Sequence, residues 1–119
     1  MMVDDDLDIL QILEHVFQKQ GFQTIPIKTG EACLDWLRKN ISTPPNLIIL
    51  DCHLPGMNGL QVLEEIKKEM LHSPPVLMLT ALSQEKTMLK AYGLGVSEYM
   101  TKPFMVSILM QKALRLISS

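Results

Sequence analysis

Apolar residues along the chain recur in two alternating rhythms. From Leu7 to Gln20, Ile9, Leu10, Leu13, Val16 and Phe17 return at helical spacing, and Gly21 stops the run. Phe22–Lys28, with Phe22, Thr24, Ile25 and Ile27, reads as a strand. Gly30–Asn40 reads as a helix with Ala32, Cys33, Trp36 and Leu37 on one side, and "STPPN" is a turn. Leu47–Leu50 is an unbroken apolar strand, and Gly59–Met70 is a helix carrying Leu60, Leu63 and Ile66. After "HSPP" come a second unbroken apolar strand (Val76–Leu79), a helix (Gln84–Tyr92), a short strand (Val96–Met100) and a last helix (Met105–Ile117). With Met1–Val3 as a short first strand, the pattern is five strand-then-helix units.

Strands alternating with helices imply a parallel sheet covered on both faces, and the unbroken apolar strands fit burial from both sides. Pro26 cannot donate a ladder hydrogen bond, so the second strand belongs at a sheet edge. Open sheets of this kind bind ligands beyond the carboxyl ends of their strands. The residues just after each strand are therefore the candidates: Asp4, Asp5 and Asp6; Lys28; Asp51; Thr80; and Lys102.

Composition narrows the function. The 119 residues suit one domain, 1–119, with 47% hydrophobic and 20% charged residues. A net charge of −2 carries no basic clustering, so direct nucleic-acid binding is not expected. No run approaches a membrane span, and "MMVDDDLDIL" lacks the basic-then-apolar order of a signal peptide. Cys33 and Cys52 lack metal-type spacing and are expected as reduced, packed thiols in a cytoplasmic protein. The nine methionines are expected as core filler, Trp36 as a packing residue, and His15 and His72 at the surface.

The candidates make chemical sense together. A carboxylate at the end of a buried strand is costly to desolvate without compensation. Asp4, Asp5 and Asp51 would repel one another in a dry cleft, and a hard divalent cation such as magnesium resolves that repulsion. Lys102 adds a fixed positive charge and Thr80 a hydroxyl, so the set can hold the oxygens of a phosphoryl group. Asp51 then serves as a nucleophile forming an acyl phosphate. Singly, each residue has a plainer reading. "DDD" can cap a helix start and compensate its dipole, Asp51 can cap a turn, Thr80 can be an N-cap, and "KPF" can open a helix.

The motifs "VDDD" (3–6), "IILDCHLPGMNG" (48–59), "MLTAL" (78–82) and "YMTKPF" (99–104) resemble those of response-regulator receiver domains of two-component signalling, over essentially the whole chain. The resemblance implies a flavodoxin-like, doubly wound five-stranded parallel sheet in the order 2-1-3-4-5 with five flanking helices. It implies Asp51 as phosphoacceptor and Mg2+ held directly by Asp5, mainly through water by Asp4, and by the backbone carbonyl of His53. Thr80 and Lys102 would bind phosphoryl oxygens, with Ala81 leaving room for them. Tyr99 would be the aromatic switch residue, Pro103 would follow a cis peptide bond, and Pro55 and Gly59 would shape the loop after Asp51. Leu82 and His53 stand where family members vary and tune phosphoryl lifetime. The implied partners are a histidine kinase or phosphotransfer protein upstream and an output domain or protein downstream, reached through the face of the fourth helix, fifth strand and fifth helix.

Departures from the family pattern carry expectations too. Only Met1–Val3 precede the acidic pair, so the first strand should be short, at some cost in stability. The side chain of His53 is expected to point outward over the site rather than ligate a transition metal. A haloacid-dehalogenase-type hydrolase would carry a second aspartate where His53 stands. A flavodoxin-like FMN binder would not offer three aspartates to a phosphate, and a degenerate receiver would lack part of the site. In the last helix Leu109, Ala113 and Leu116 can supply the core face. Met105, Val106 and Ile108, with Tyr99, are therefore expected to form an apolar face for a second copy or a partner.

Overall fold

A computed structural model describes residues 1–81 and 85–118. Its elements run β1 (Met2–Val3), α1 (Leu7–Lys19), β2 (Pro26–Ile27), α2 (Gly30–Lys39), β3 (Ile48–Asp51), α3 (Gly59–Glu69), β4 (Val76–Thr80), α4 (Glu85–Gly93), β5 (Glu98–Thr101) and α5 (Val106–Ser118). Leu82 and Gln84, both given roles by the sequence, lie outside the described residues.

Local chemistry starts the helices where the sequence provides it. The Asp6 carboxylate accepts from the backbone N–H groups of Asp8 and Ile9 and caps α1. Thr29 caps α2 through the N–H of Ala32, and Asn58 and Gln61 form a reciprocal capping box at α3. Gly21, at φ +90°, ends α1 in a backbone conformation that side-chain-bearing residues rarely adopt.

The five strands form one parallel sheet in the order β2-β1-β3-β4-β5. Pro26 lies on its edge, as its missing donor requires. Side chains of β3 and β4 alternate between two cores. Ile48, Leu50, Val76 and Met78 pack beneath Leu34, Leu37, Val62, Leu63, Ile66 and Ala91 of α2, α3 and α4. Ile49, Leu77 and Leu79 pack against Leu10, Leu13 and Phe17 of α1 and Leu109 and Ala113 of α5. Both faces are thus sealed by apolar packing, which leaves polar chemistry to the strand ends.

The strand expected over Phe22–Lys28 contracts to Pro26–Ile27. The reason is pairing: β1 offers only Met2 and Val3, in register with Pro26 and Ile27. Ile25 still accepts from Met2 N–H at 3.0 Å, but residues 22–24 lie beyond the reach of β1. At that end a cavity of about 400 Å³ opens among Met1, Phe17, Phe22, Trp36, Pro45 and Ile117. Most methionines fill the core as expected: Met2 and Met78 are buried, Met1, Met57 and Met70 pack against one cluster and Met100 and Met110 against the other, while Met105 is exposed. Trp36 packs against the core, both cysteines are buried and unpaired, and His15, His53 and His72 are exposed. Among the described residues no helix is long and apolar enough to cross a membrane.

Candidate functional site at the carboxyl end of the sheet

Asp51 ends β3 with only 4% of its surface exposed, and Asp4, just past β1, retains 2%. Gly59 makes this closeness possible. A Cβ there would collide with the Asp51 carbonyl oxygen, so only glycine lets α3 start against the end of β3. Asp5 sits beside them, exposed, and ligand oxygens of Asp4, Asp5 and Asp51 lie within 4.8 Å of one another. An all-oxygen, acidic donor set of this kind fits a hard cation such as magnesium rather than a soft metal.

Lys102 arrives from the loop after β5. Its Nζ stands 2.9 Å from Asp4 Oδ2 and 3.5 Å from Asp51 Oδ2. The backbone holds it there, since Lys102 N–H donates to the Thr80 carbonyl at 2.7 Å. Further donors fix the acids: His53 N–H to Asp51 Oδ1 at 3.2 Å and Asp6 N–H to Asp4 Oδ1 at 2.9 Å.

These contacts set the protonation chemistry. Burial, followed by the Asp4 charge, raises the Asp51 carboxyl above the ordinary value, against the opposing pull of His53 N–H and Lys102. For Lys102, burial works to lower the ammonium, but the two aspartates together outweigh it and hold it above the ordinary lysine value. The cleft thus keeps a fixed cation beside a carboxylate whose charge the fold tolerates poorly.

Thr80 ends β4, fully buried, in register with Thr101 of β5. Its side chain shares the strand face of Met78, beside Cys52 and Tyr99. Ala81 is exposed beyond it, and the Lys102–Pro103 peptide bond is cis, as the resemblance implied. Of the strand-end candidates, the side chains of Asp4, Asp5, Asp51 and Lys102 converge, and Thr80 joins them through its carbonyl, which holds Lys102. Lys28 does not: it is exposed past the edge strand β2. Asp6 serves as the α1 cap.

Two residues outside the sequence candidates shape the site. Glu31 at the start of α2 accepts from Met57 N–H at 3.1 Å and so ties down the loop after Asp51. Cys52 packs in the core as expected, and its backbone N–H donates to the Leu79 carbonyl at 2.8 Å, which holds the end of β3 to that of β4. Neither carries a local signal, because each contact joins segments far apart in sequence.

The family model described as "Response regulator receiver domain" matches residues 1–114. The alkaline phosphatase synthesis transcriptional regulatory protein PhoP of Bacillus subtilis is 35% identical over 104 residues, covering 87% of this chain and 42% of PhoP. The chain thus spans less than half the length of that relative. The receiver domain of NtrX from Brucella abortus superposes with a TM-score of 0.87 at 28% identity, covering 99% of this chain and 97% of that one. A BeF3-activated DrrB receiver domain gives 0.86 at 30% identity, covering 99% and 95%.

Proposed function

This chain belongs to the response-regulator receiver family, and from that premise we propose that it is a switch thrown by phosphorylation of Asp51. The observation that carries the reading is the meeting of Lys102 with both Asp4 and Asp51 at the end of β3, beside Thr80. A histidine kinase or phosphotransfer protein presents a phosphohistidine. An Asp51 Oδ attacks phosphorus, the P–N bond breaks, an O–P acyl phosphate bond forms, and the imidazole leaves and regains a proton.

Asp4, Asp5, Asp51 and the His53 carbonyl would hold magnesium. When bound, that ion supplies positive charge against the oxygens of the transferred group. Lys102 and Thr80 then contact phosphoryl oxygens, and the exposed, small Ala81 leaves them room. Slow hydrolysis of the acyl phosphate resets the switch, so the chain catalyses only its own phosphorylation and dephosphorylation. The unpaired cysteines support a reducing, cytoplasmic setting.

The output is a population shift. Phosphate favours the state in which Thr80 engages it and Tyr99 moves inward, and the α4–β5–α5 face changes its affinity for partners. Exposed Leu89, Tyr92, Met105 and Ile108 support this face as a docking surface for a second copy. The expectation for Val106 is softened, since the structure half-buries it. As PhoP is by name a transcriptional regulatory protein, the controlled output is an attached domain or a separate partner.

Acetyl phosphate with magnesium should add one phosphoryl mass to the intact chain. Asp51→Ala should remove that gain. A full gain in the variant would overturn the assignment.

A further inference from the structure

The loop after Asp51 is closed on itself and held from outside. Gly59 N–H donates to the Cys52 carbonyl at 2.9 Å, so residues 53–58 leave the end of β3 and return to it. Leu54 is buried in the core beneath α2, α3 and α4, and Asn58 is fixed by its capping box with Gln61. Between these two anchors run Pro55, Gly56 and Met57.

Two consecutive residues of α2 hold that stretch. A Cβ on Gly30 would stand 2.7 Å from the Met57 carbonyl oxygen, so the start of α2 lies directly against the loop. Glu31 Oε1 accepts from Met57 N–H at 3.1 Å. The same carboxylate covers the turn at Gly56, where a Cβ would stand 3.4 Å from Oε2. Thr29 caps α2 through Ala32 N–H, which fixes Glu31 in the first turn of the helix. His53 belongs to the held loop, and its N–H donates to Asp51 Oδ1 at 3.2 Å. The direction of its carbonyl therefore depends on Asp51 at one end and on whatever holds the loop at the other.

We propose that Glu31 is a positioning residue of the cation site, which acts through Met57 N–H to hold the loop with the His53 carbonyl directed at the ion. The proposal rests on the reading of that carbonyl, with Asp4, Asp5 and Asp51, as the magnesium site. Glu31 is not among the acids of the cluster, so its effect passes through the loop. Groups that orient a metal ligand tune affinity without touching the ion.

The test is a calorimetric titration of the whole chain with magnesium chloride, for wild type, Glu31→Gln and Glu31→Ala. Thermal melting in chelator first confirms that each variant is folded. Glutamine keeps an oxygen acceptor for Met57 N–H and drops the charge, whereas alanine drops both. Glu31→Ala should weaken magnesium binding by about two- to fivefold, the range expected for one modest hydrogen bond. Glu31→Gln should stay close to wild type. Amide exchange at Met57 should be faster in Glu31→Ala and, by linkage, slower in wild type once magnesium saturates it. A role through charge alone would weaken Glu31→Gln and Glu31→Ala equally. A role in stability alone would lower the melting midpoint of Glu31→Ala and leave its magnesium affinity at the wild-type value. Either result overturns the proposal.

Asp5→Asn separates that failure from failure of the underlying reading. If it binds magnesium as wild type does, or if wild type does not bind at all, the acidic cluster is not the cation site and the reading of the site fails. If Asp5→Asn weakens binding but Glu31→Ala does not, the cation site stands and the role of Glu31 is overturned.

Discussion

β3 and β4 bury every residue, whereas β5, on their flank, buries none fully and ends exposed at Thr101. The helices repeat the contrast: α3 buries Gly59, Val62, Leu63 and Ile66, but α4 buries only Ala91. The acids of the site thus hang from a closely packed frame, while the face that would report on them is lightly anchored. Regions with few buried apolar contacts rearrange at low cost. A fixed cleft beside an adjustable face is the division a switch needs, because a small change at the centre must shift an equilibrium elsewhere.

Mutational cost is the most direct way to break that contrast. Leu63→Ala removes a fully buried side chain and should cost about 2–5 kcal/mol in denaturant unfolding. Leu89→Ala, on the exposed side of α4, should stay within about 0.5 kcal/mol. Comparable losses would show that the two regions are equally anchored.

Magnesium sharpens the comparison from the side of the site. If it binds only the native chain, a hundredfold excess over its dissociation constant adds about 2.7 kcal/mol. Thermal melting with saturating magnesium and with chelator should show that gain. Equal midpoints would mean that Asp4, Asp5 and Asp51 do not form a cation site.

A smaller effect follows from Asp51 itself. Its folded-state carboxyl is raised, so the native state binds that proton more tightly than the unfolded chain does. The associated stability is present below the ordinary value of 3.8 and is lost as pH rises through the folded value. At neutral pH without metal, Asp51→Asn should therefore melt above wild type, and the gap should close toward acid. A variant that melts lower throughout would mean that pairing with Lys102 outweighs burial and the Asp4 charge.

The smallest stability effect belongs to the reporting face. Met105 is 64% exposed, and Met105→Ser should leave the melting midpoint nearly unchanged. It should nevertheless reduce self-association in sedimentation with magnesium and beryllofluoride. Wild type that stays monomeric at high concentration, with and without the mimic, would remove the dimer reading and leave a different partner for this face.

Much of this was legible in the chain because it is encoded locally. The apolar runs ending at Asp51 and Thr80, the caps at Asp6, Thr29 and Asn58, and Pro26 at the edge each follow from residue chemistry within a few positions. Parallel connection forces all strands to end on one side, which is why reading the residues after each strand found Asp4, Asp5, Asp51, Thr80 and Lys102 together. The same rule also picked Lys28, because sequence order does not say how far from the centre a strand lies.

Only the tertiary structure decided what depends on partners distant in sequence. β2 shrank to two residues because its neighbour β1 offers two. Val106 is half-buried, although helical spacing placed it on the open face with Met105 and Ile108. Lys102 meets Asp4 across 98 positions, and Cys52 joins the core beneath α2, α3 and α4 and not the cleft beside it. Strand periodicity sends Asp51 and Cys52 to opposite faces. The sequence therefore determined which groups reach the end of the sheet. Packing between strands determined which of them touch, since a contact across the sheet depends on register and burial, and neither is a property of a local stretch.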